Sequence, residues 1–300
     1  MLEKAQPDIV LVHGDTSTTF AGALAAFYHK VPVGHVEAGL RTYDKYSPFP
    51  EEMNRKLTGQ IATLHFAPTP RNRDNLAKEG ITDGVFVMGN TVVDAIHMTV
   101  KPDFEFRDEQ LKTLDFENNR VVLVTAHRRE NYGEPMQNIM HAILRLVEEN
   151  PDVEVVYPVH LSPVVRECAF PILGSHPRIH LIDPIDVEEM HNLMARCFFV
   201  LTDSGGLQEE APALGKPVLV MRRETERPEA IAAGTAKLVG VEQETILREA
   251  NELLHSEAAY AKMAKAVNPY GDGHASERIV QAILWHFGRT ADRPGDFCAQ

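Results

Sequence analysis

The chain runs to 300 residues, 44% of them hydrophobic, with a formal net charge of −13 at pH 7. That length and apolar content can bury a sizeable core and fit two domains, whereas the acidic balance argues against a nucleic-acid surface. No apolar run approaches the length of a membrane span and the amino terminus MLEKAQPD has no secretory hydrophobic stretch, so a cytoplasmic protein is expected.

Short apolar runs recur along the chain with helical stretches between them, and each ends in a polar cluster. Asp8 to Val12 predicts a strand ending in His13-Gly14-Asp15-Thr16, and Val33 to Val36 a strand running into Glu37-Ala38-Gly39-Leu40-Arg41-Thr42. PFPEEMNRKLTGQ opens a helix at Glu51, and Gly89 to Ala95 reads as a turn opening a short helix. The polar, strandless stretch KPDFEFRDEQLKTLDFENNR then places a domain boundary between residues 96 and 120. Beyond it, Val121 to Thr125 ends in Ala126-His127-Arg128-Arg129-Glu130-Asn131, Val153 to Val159 in His160, and Ile179 to Ile182 in Asp183-Pro184. Strands alternating with helices predict parallel sheet covered on both faces, with ligands at the carboxyl ends of the strands, where these clusters fall.

Residues 197–230, CFFVLTDSGGLQEEAPALGKPVLVMRRETERPEA, carry the sharpest chemistry. Phe198 to Leu201 suits a buried strand, which Thr202-Asp203-Ser204-Gly205-Gly206 breaks. Ser204 is expected to cap the following helix, and Gly205 and Gly206 let backbone N–H groups approach a ligand. A helix start with such donors suits phosphate. Gly215 closes the helix and Pro217 to Met221 returns as a strand, followed by Arg222, Arg223 and Arg227, whose forked guanidiniums can pair phosphate oxygens. Glu210 would repel phosphate and fits better as an acceptor for ribose hydroxyls. The ordinary alternative is a capping serine, turn glycines and surface acids.

The run TDSGGLQEEAPALGKPVLVMRRETERPEA resembles the nucleotide-binding signature of the non-hydrolysing UDP-N-acetylglucosamine 2-epimerases. The resemblance implies an α/β fold of two Rossmann-like doubly wound parallel-sheet domains in the glycosyltransferase-B architecture. Residues 1–98 would form the first domain and 99–282 the UDP-binding domain, with 283–300 returning to the first. It further implies a homodimer that uses no cofactor and takes UDP-N-acetylglucosamine as substrate, and in some members also as activator.

Three acids of the first domain match the family's catalytic carboxylates: Asp15 in HGDT, Glu37 in HVEAGLRT and Glu51 in PFPEE. Taken singly, each has an ordinary reading: Asp15 as an N-cap, Glu37 as a loop acid, Glu51 as a first-turn acid. The resemblance also implies that His127, in TAHRREN, contacts the departing diphosphate and is counted among the catalytic residues. Arg41, Ser204, Gly205, Gly206, Glu210 and Arg227 would bind the substrate, and Arg128 and His160 match activator positions. Arg128 and Arg129 beside His127 independently suggest an anion.

The chemistry explains why carboxylates would serve. The C2 proton of a glucosamine nucleotide has no adjacent carbonyl. One route oxidises the sugar with a nicotinamide, but the GxGxx pattern Gly271-Asp272-Gly273-His274-Ala275 follows Pro269-Tyr270 rather than a strand, a poor dinucleotide site. The other expels UDP from C1, so that C2–H becomes acidic enough for an ordinary carboxylate. The family is understood to work this way, by anti elimination to 2-acetamidoglucal and syn re-addition. Inversion needs groups on both faces, and nearby carboxylates push their pKa values apart, so that one serves as acid and another as base. Cys168, Cys197 and Cys298 are scattered and odd in number, fitting a reducing compartment, and the fourteen histidines include no HExxH-like pair, so no metal is expected.

Family members begin with a strand and a Gly-Thr-Arg-Pro-Glu turn before the HGDT strand, whereas here Met1 to Pro7 lead directly into Asp8. The expectation is a first domain incomplete at its amino end, with sheet edges and apolar helix faces uncovered, so that the chain alone is unstable or inactive whereas one extended upstream is active. A hydrolysing relative or glycosyltransferase of the same architecture, and a nucleotide-sugar-binding module without turnover, are the competing readings.

Overall fold

The computed structural model describes residues 1–299. Two compact units divide the chain: Met1–Asp94 with the stretch from Pro269 onward, and Ala95–Asn268.

The first unit holds four parallel strands, β1 (Val10–His13), β2 (Val33–Val36), β3 (Leu64–Ala67) and β4 (Val85–Val87), in the order β1-β2-β3-β4. Helix Ser17–Tyr28 follows β1, and its N-cap Thr16 accepts from the Thr19 amide at 3.2 Å. Helix Glu51–Ile61 precedes β3, and Pro70–Lys78 follows it behind a Thr69–Asn72 capping box. One sheet face buries Leu64, Phe66, Phe86 and Met88 against Ile279 and Ala282, with Trp285 edge-on to Phe86 at 6.0 Å. Each buried aromatic contributes about 2 kcal/mol through burial alone. Among the described residues β1 is an edge strand of this sheet, and its Leu11 is 49% exposed.

The return to the first unit comes at Pro269, not at residue 283 as expected from sequence, and the earlier division falls after Asp94 rather than after residue 98. The cause is local bonding. The Tyr270 carbonyl accepts from the Asn90 amide at 2.5 Å, and Gly271 lies so close that a Cβ there would meet Val93 at 3.2 Å. Asp94 then caps helix Ala275–His286, accepting from the amides of Ala275 (3.1 Å) and Ser276 (2.7 Å). The GxGxx pattern is thus the lead-in to this helix. Its Asp272 forks with Arg278, which holds the carboxyl at about 2.

The second unit has six parallel strands: β5 (Arg120–Thr125), β6 (Val153–Pro158), β7 (Ile179–Ile182), β8 (Phe199–Thr202), β9 (Val218–Val220) and β10 (Ala236–Leu238). Their order is β10-β9-β8-β5-β6-β7. The chain winds outward in one direction from β5 and in the other from β8, so the crevice at the carboxyl ends of these two strands is the topological switch point. Thr125 and Thr202, the last residues of β5 and β8, share a hydrogen bond of 2.6 Å. Helix Glu134–Glu149 buries Met136, Ile139, Met140, Ile143, Leu146 and Val147 on the sheet, as its helical spacing requires. Strands β3, β4 and β10 were not anticipated from sequence.

Candidate active site

At the switch point, Ala126-His127-Arg128 leaves β5 and Asp203-Ser204-Gly205-Gly206 leaves β8. The helix that follows starts at Leu207, with Gly206 as its N-cap and no side-chain cap. Ser204 is therefore not the cap expected of it. Thr202 Oγ1 captures the Ser204 amide at 2.8 Å, which draws Ser204 into a turn before the helix begins. Gly215 follows that helix at φ +67°, the left-handed conformation glycine tolerates.

The turn is ringed by charge. A Cβ on Gly205 would lie 3.6 Å from an Arg128 terminal nitrogen, 3.8 Å from Glu226 Oε2 and 3.9 Å from the Arg227 guanidinium carbon. Burial favours the neutral Glu226 carboxyl, but Arg222, Arg128 and Arg227 outweigh it and hold that group at about 2. Arg128 Nε is buried without a hydrogen-bond partner, and Arg227 Nε donates to Glu209. Arg222 is committed to Glu130 (2.6 Å) and Glu226 (3.0 Å), whereas Arg223 is exposed and faces Glu242 at 3.6 Å. Of the trailing arginines, Arg227 alone joins Arg128 at the turn. Glu210 folds back over Gly206, where a Cβ would meet its Oε1 at 2.9 Å, and its Oε2 lies 3.4 Å from Nε2 of buried His191.

His127 is part-buried and stacks on His160, ring centroids 5.5 Å apart. Burial lowers its pKa, Arg128 and His160 lower it further, and Asp203 opposes them. His160 Nδ1 accepts from the Ser162 amide at 3.0 Å. Asp203, which sequence reading passed over as one letter of a turn, is fully buried and accepts from the amides of His127 and Arg128, both at 2.8 Å.

In the first unit, Asp15 and Glu37 flank the ends of neighbouring strands β1 and β2. Asp15 is not a cap, since Thr16 fills that position; its Oδ2 accepts from Arg55 at 2.6 Å and its carbonyl from Asn54 at 3.0 Å. Glu37 sits at φ +64°, a strained conformation for a glutamate, and its Oε2 approaches His13 Nε2 at 3.6 Å. The Glu37 carboxylate beside it raises the His13 pKa, against the lowering effect of burial. Glu51 is the first residue of helix Glu51–Ile61, and its carboxylate makes no hydrogen bond or ion pair among the described residues. Its neighbour Glu52 is the buried one: it accepts from the amides of Thr42 (3.1 Å) and Tyr43 (3.0 Å) and pairs with Arg55 at 3.4 Å. Arg41, expected as a substrate contact, has its guanidinium enclosed, donating two 2.8 Å bonds to Glu79 and one of 2.7 Å to the Leu40 carbonyl. His13, Glu52 and Arg55 belong to this cluster and were not singled out from sequence; the EExxR spacing, one face of a helix, was the available signal.

Among the described residues no group of three metal-ligating side chains converges, and no helix is long and apolar enough to cross a membrane.

Two Rossmann-like parallel-sheet units, one with a switch-point turn walled by arginines, define a nucleotide-sugar enzyme of the glycosyltransferase-B class. The model of the UDP-N-acetylglucosamine 2-epimerase family matches residues 1–284, and the chain belongs to that family of isomerases. It is 56% identical over 299 residues to the UDP-N-acetylglucosamine 2-epimerase of Bacillus subtilis, covering 99% of this chain and 77% of that protein. The S. aureus MnaA–UDP structure superposes with a TM-score of 0.93 at 52% identity, covering 99% of this chain and 80% of that one. The Neisseria meningitidis UDP-GlcNAc 2-epimerase bound to UDP-GlcNAc gives 0.87 at 50% identity, covering 95% and 78%.

Proposed function

We propose that the chain interconverts UDP-N-acetylglucosamine and UDP-N-acetylmannosamine by anti elimination of UDP and syn re-addition through 2-acetamidoglucal. The observation that carries this reading is the Ser204–Gly206 turn with Arg128 and Arg227 against Gly205. Backbone N–H groups and two guanidiniums stabilise charge that grows on a diphosphate as it leaves C1. The relatives solved with UDP and with UDP-GlcNAc support the choice of ligand.

In this scheme Ser204, Gly205, Gly206, Arg128, Arg227 and His127 bind the diphosphate. Glu210 swings from the turn to the ribose hydroxyls. Asp15, Glu37 and Glu51 move the C2 proton, two of them already differing in surroundings: Asp15 bonds Arg55, whereas Glu37 faces His13. Arg128 serves the substrate rather than an activator, since it already reaches the turn, and His160 acts through its stack on His127.

Incubation with UDP-N-acetylglucosamine in D₂O, followed by NMR, tests the reading. Deuterium at C2 with UDP-N-acetylmannosamine as product is expected. Free N-acetylmannosamine with UDP would overturn it in favour of hydrolysis, and saturable binding without exchange in favour of a binding module.

A further inference from the structure

Asp203 follows β8 with no accessible surface. Its Oδ2 is committed to fixed donors, the amides of His127 and Arg128 at 2.8 Å and the Asn131 side chain at 3.2 Å. Its Oδ1 is buried with no hydrogen-bond partner, and His127 Nδ1 lies 3.4 Å away. A buried acceptor without a donor is costly, so a working state should supply one. Of the charged and titratable groups around His127, Arg128 and the stacked His160 disfavour a second positive charge, and Asp203 alone favours it. His127 is accordingly neutral in the free protein at neutral pH.

We propose that Asp203 is the positioning residue of His127: it accepts the Nδ1–H on its open oxygen, turns Nε2 toward the nucleotide diphosphate, and lets the ring take up a proton as that diphosphate binds. The inference rests on the diphosphate reading of the turn and deepens it by assigning a proton. That proton passes from solvent to the Nε2 lone pair, and the new N–H donates to a phosphate oxygen. The imidazolium then lies between two anions and returns its proton to solvent when the nucleotide departs. No electron transfer is involved. An Asp–His pair of this kind fixes the tautomer and orientation of the ring.

Calorimetric titration of the full chain with UDP at pH 8, in two buffers of different ionisation heat, counts the protons taken up. The terminal phosphate of UDP is already ionised at that pH. Uptake approaching one proton per UDP is expected, and none in His127→Gln. In Asp203→Asn, the oxygen must stay on the two amides, so the side-chain NH₂ turns toward the ring. Proton uptake is then lost, and ¹⁵N NMR of His127 in the free protein shows a switch from the Nδ1–H to the Nε2–H tautomer. Epimerisation kcat falls by about 10²-fold. UDP binding without proton uptake, unchanged uptake in Asp203→Asn, or an Nε2–H tautomer in the free unsubstituted protein would overturn the assignment while leaving the diphosphate reading intact. Failure to bind UDP at all would overturn both. If Asp203→Asn does not fold, proton count and tautomer in the unsubstituted chain decide the matter.

Discussion

His35 Nε2 lies 2.8 Å from the carbonyl oxygen of Gly14, so a ring on β2 holds the turn that carries Asp15 off the end of β1. The ring is almost fully buried, and so is that of His65, its lateral neighbour on β3. Burial lowers the pKa of each to about 4. Folded protein therefore keeps both rings neutral at a pH where the unfolded chain protonates them. Their stabilising effect is fully present above about pH 6.5 and is lost as the pH falls toward 4, by about 3 kcal/mol per ring. Denaturant unfolding at pH 7 and pH 5 should show the loss, and His35→Gln with His65→Gln should flatten the profile. An unchanged slope in the double variant would rule these rings out as its source.

The loop after Glu37 depends on a backbone contact. Gly39 adopts φ +93°, and a Cβ there would lie 2.2 Å from the Asn72 carbonyl oxygen. Because the obstacle is main chain at the start of helix Pro70–Lys78, neither partner can yield cheaply. Gly39→Ala should cost about 3 kcal/mol or more and displace Glu37. Thermal unfolding checks the first effect, and C2 hydrogen exchange on UDP-N-acetylglucosamine the second.

What could be read from sequence divides along physical lines. The turns HGDT, HVEAGLRT and TDSGG stood out because glycine beside acid or serine at a strand end is informative wherever the strand leads. Burial and charge pairing were less visible. Glu52 stands beside a second glutamate and Asp203 among the hydroxyl residues of a turn, and only the fold decides which side chain turns inward. Arg41 looked available in a loop, yet its partner Glu79 lies 38 residues away. Strands β4 and β10, three residues each, are too short to present a period, and β3 carries a histidine in place of an apolar residue. The helix starts later than Ser204 because Thr202 Oγ1 takes Ser204's own amide into a turn ahead of the helix, which Gly206 then opens.

Arg227 and Arg128 approach Gly205 from the second unit's own framework. Arg227→Ala should weaken UDP binding by about 2 kcal/mol, roughly a 30-fold rise in Kd, as expected for one charge-assisted phosphate contact. Arg223→Ala is the control. That side chain is exposed on the same loop and faces Glu242, so Kd should stay within about two-fold. Isothermal titration with UDP separates the two, and equal losses would mean the anion is held by the loop's general charge rather than at the Gly205 turn.

Glu51 and Glu52 are adjacent but perform different work, because successive helical residues point about 100° apart. Glu52 is fully buried, and its two oxygens hold the amides of Thr42 and Tyr43 while Arg55 approaches one of them. Glu52→Gln keeps one acceptor but turns an NH₂ toward an amide and leaves Arg55 with less compensation. It should cost about 3 kcal/mol and lower the thermal midpoint of the first unit. Glu51 has no such partners among the described residues, and its charge contributes only through the first turn of its helix, less than about 1 kcal/mol. Glu51→Gln should therefore leave the midpoint almost unchanged while reducing C2 exchange by about 10²-fold or more. Full exchange in Glu51→Gln would remove that residue from the proton-transfer scheme. A lowered midpoint would instead make it a structural acid like its neighbour.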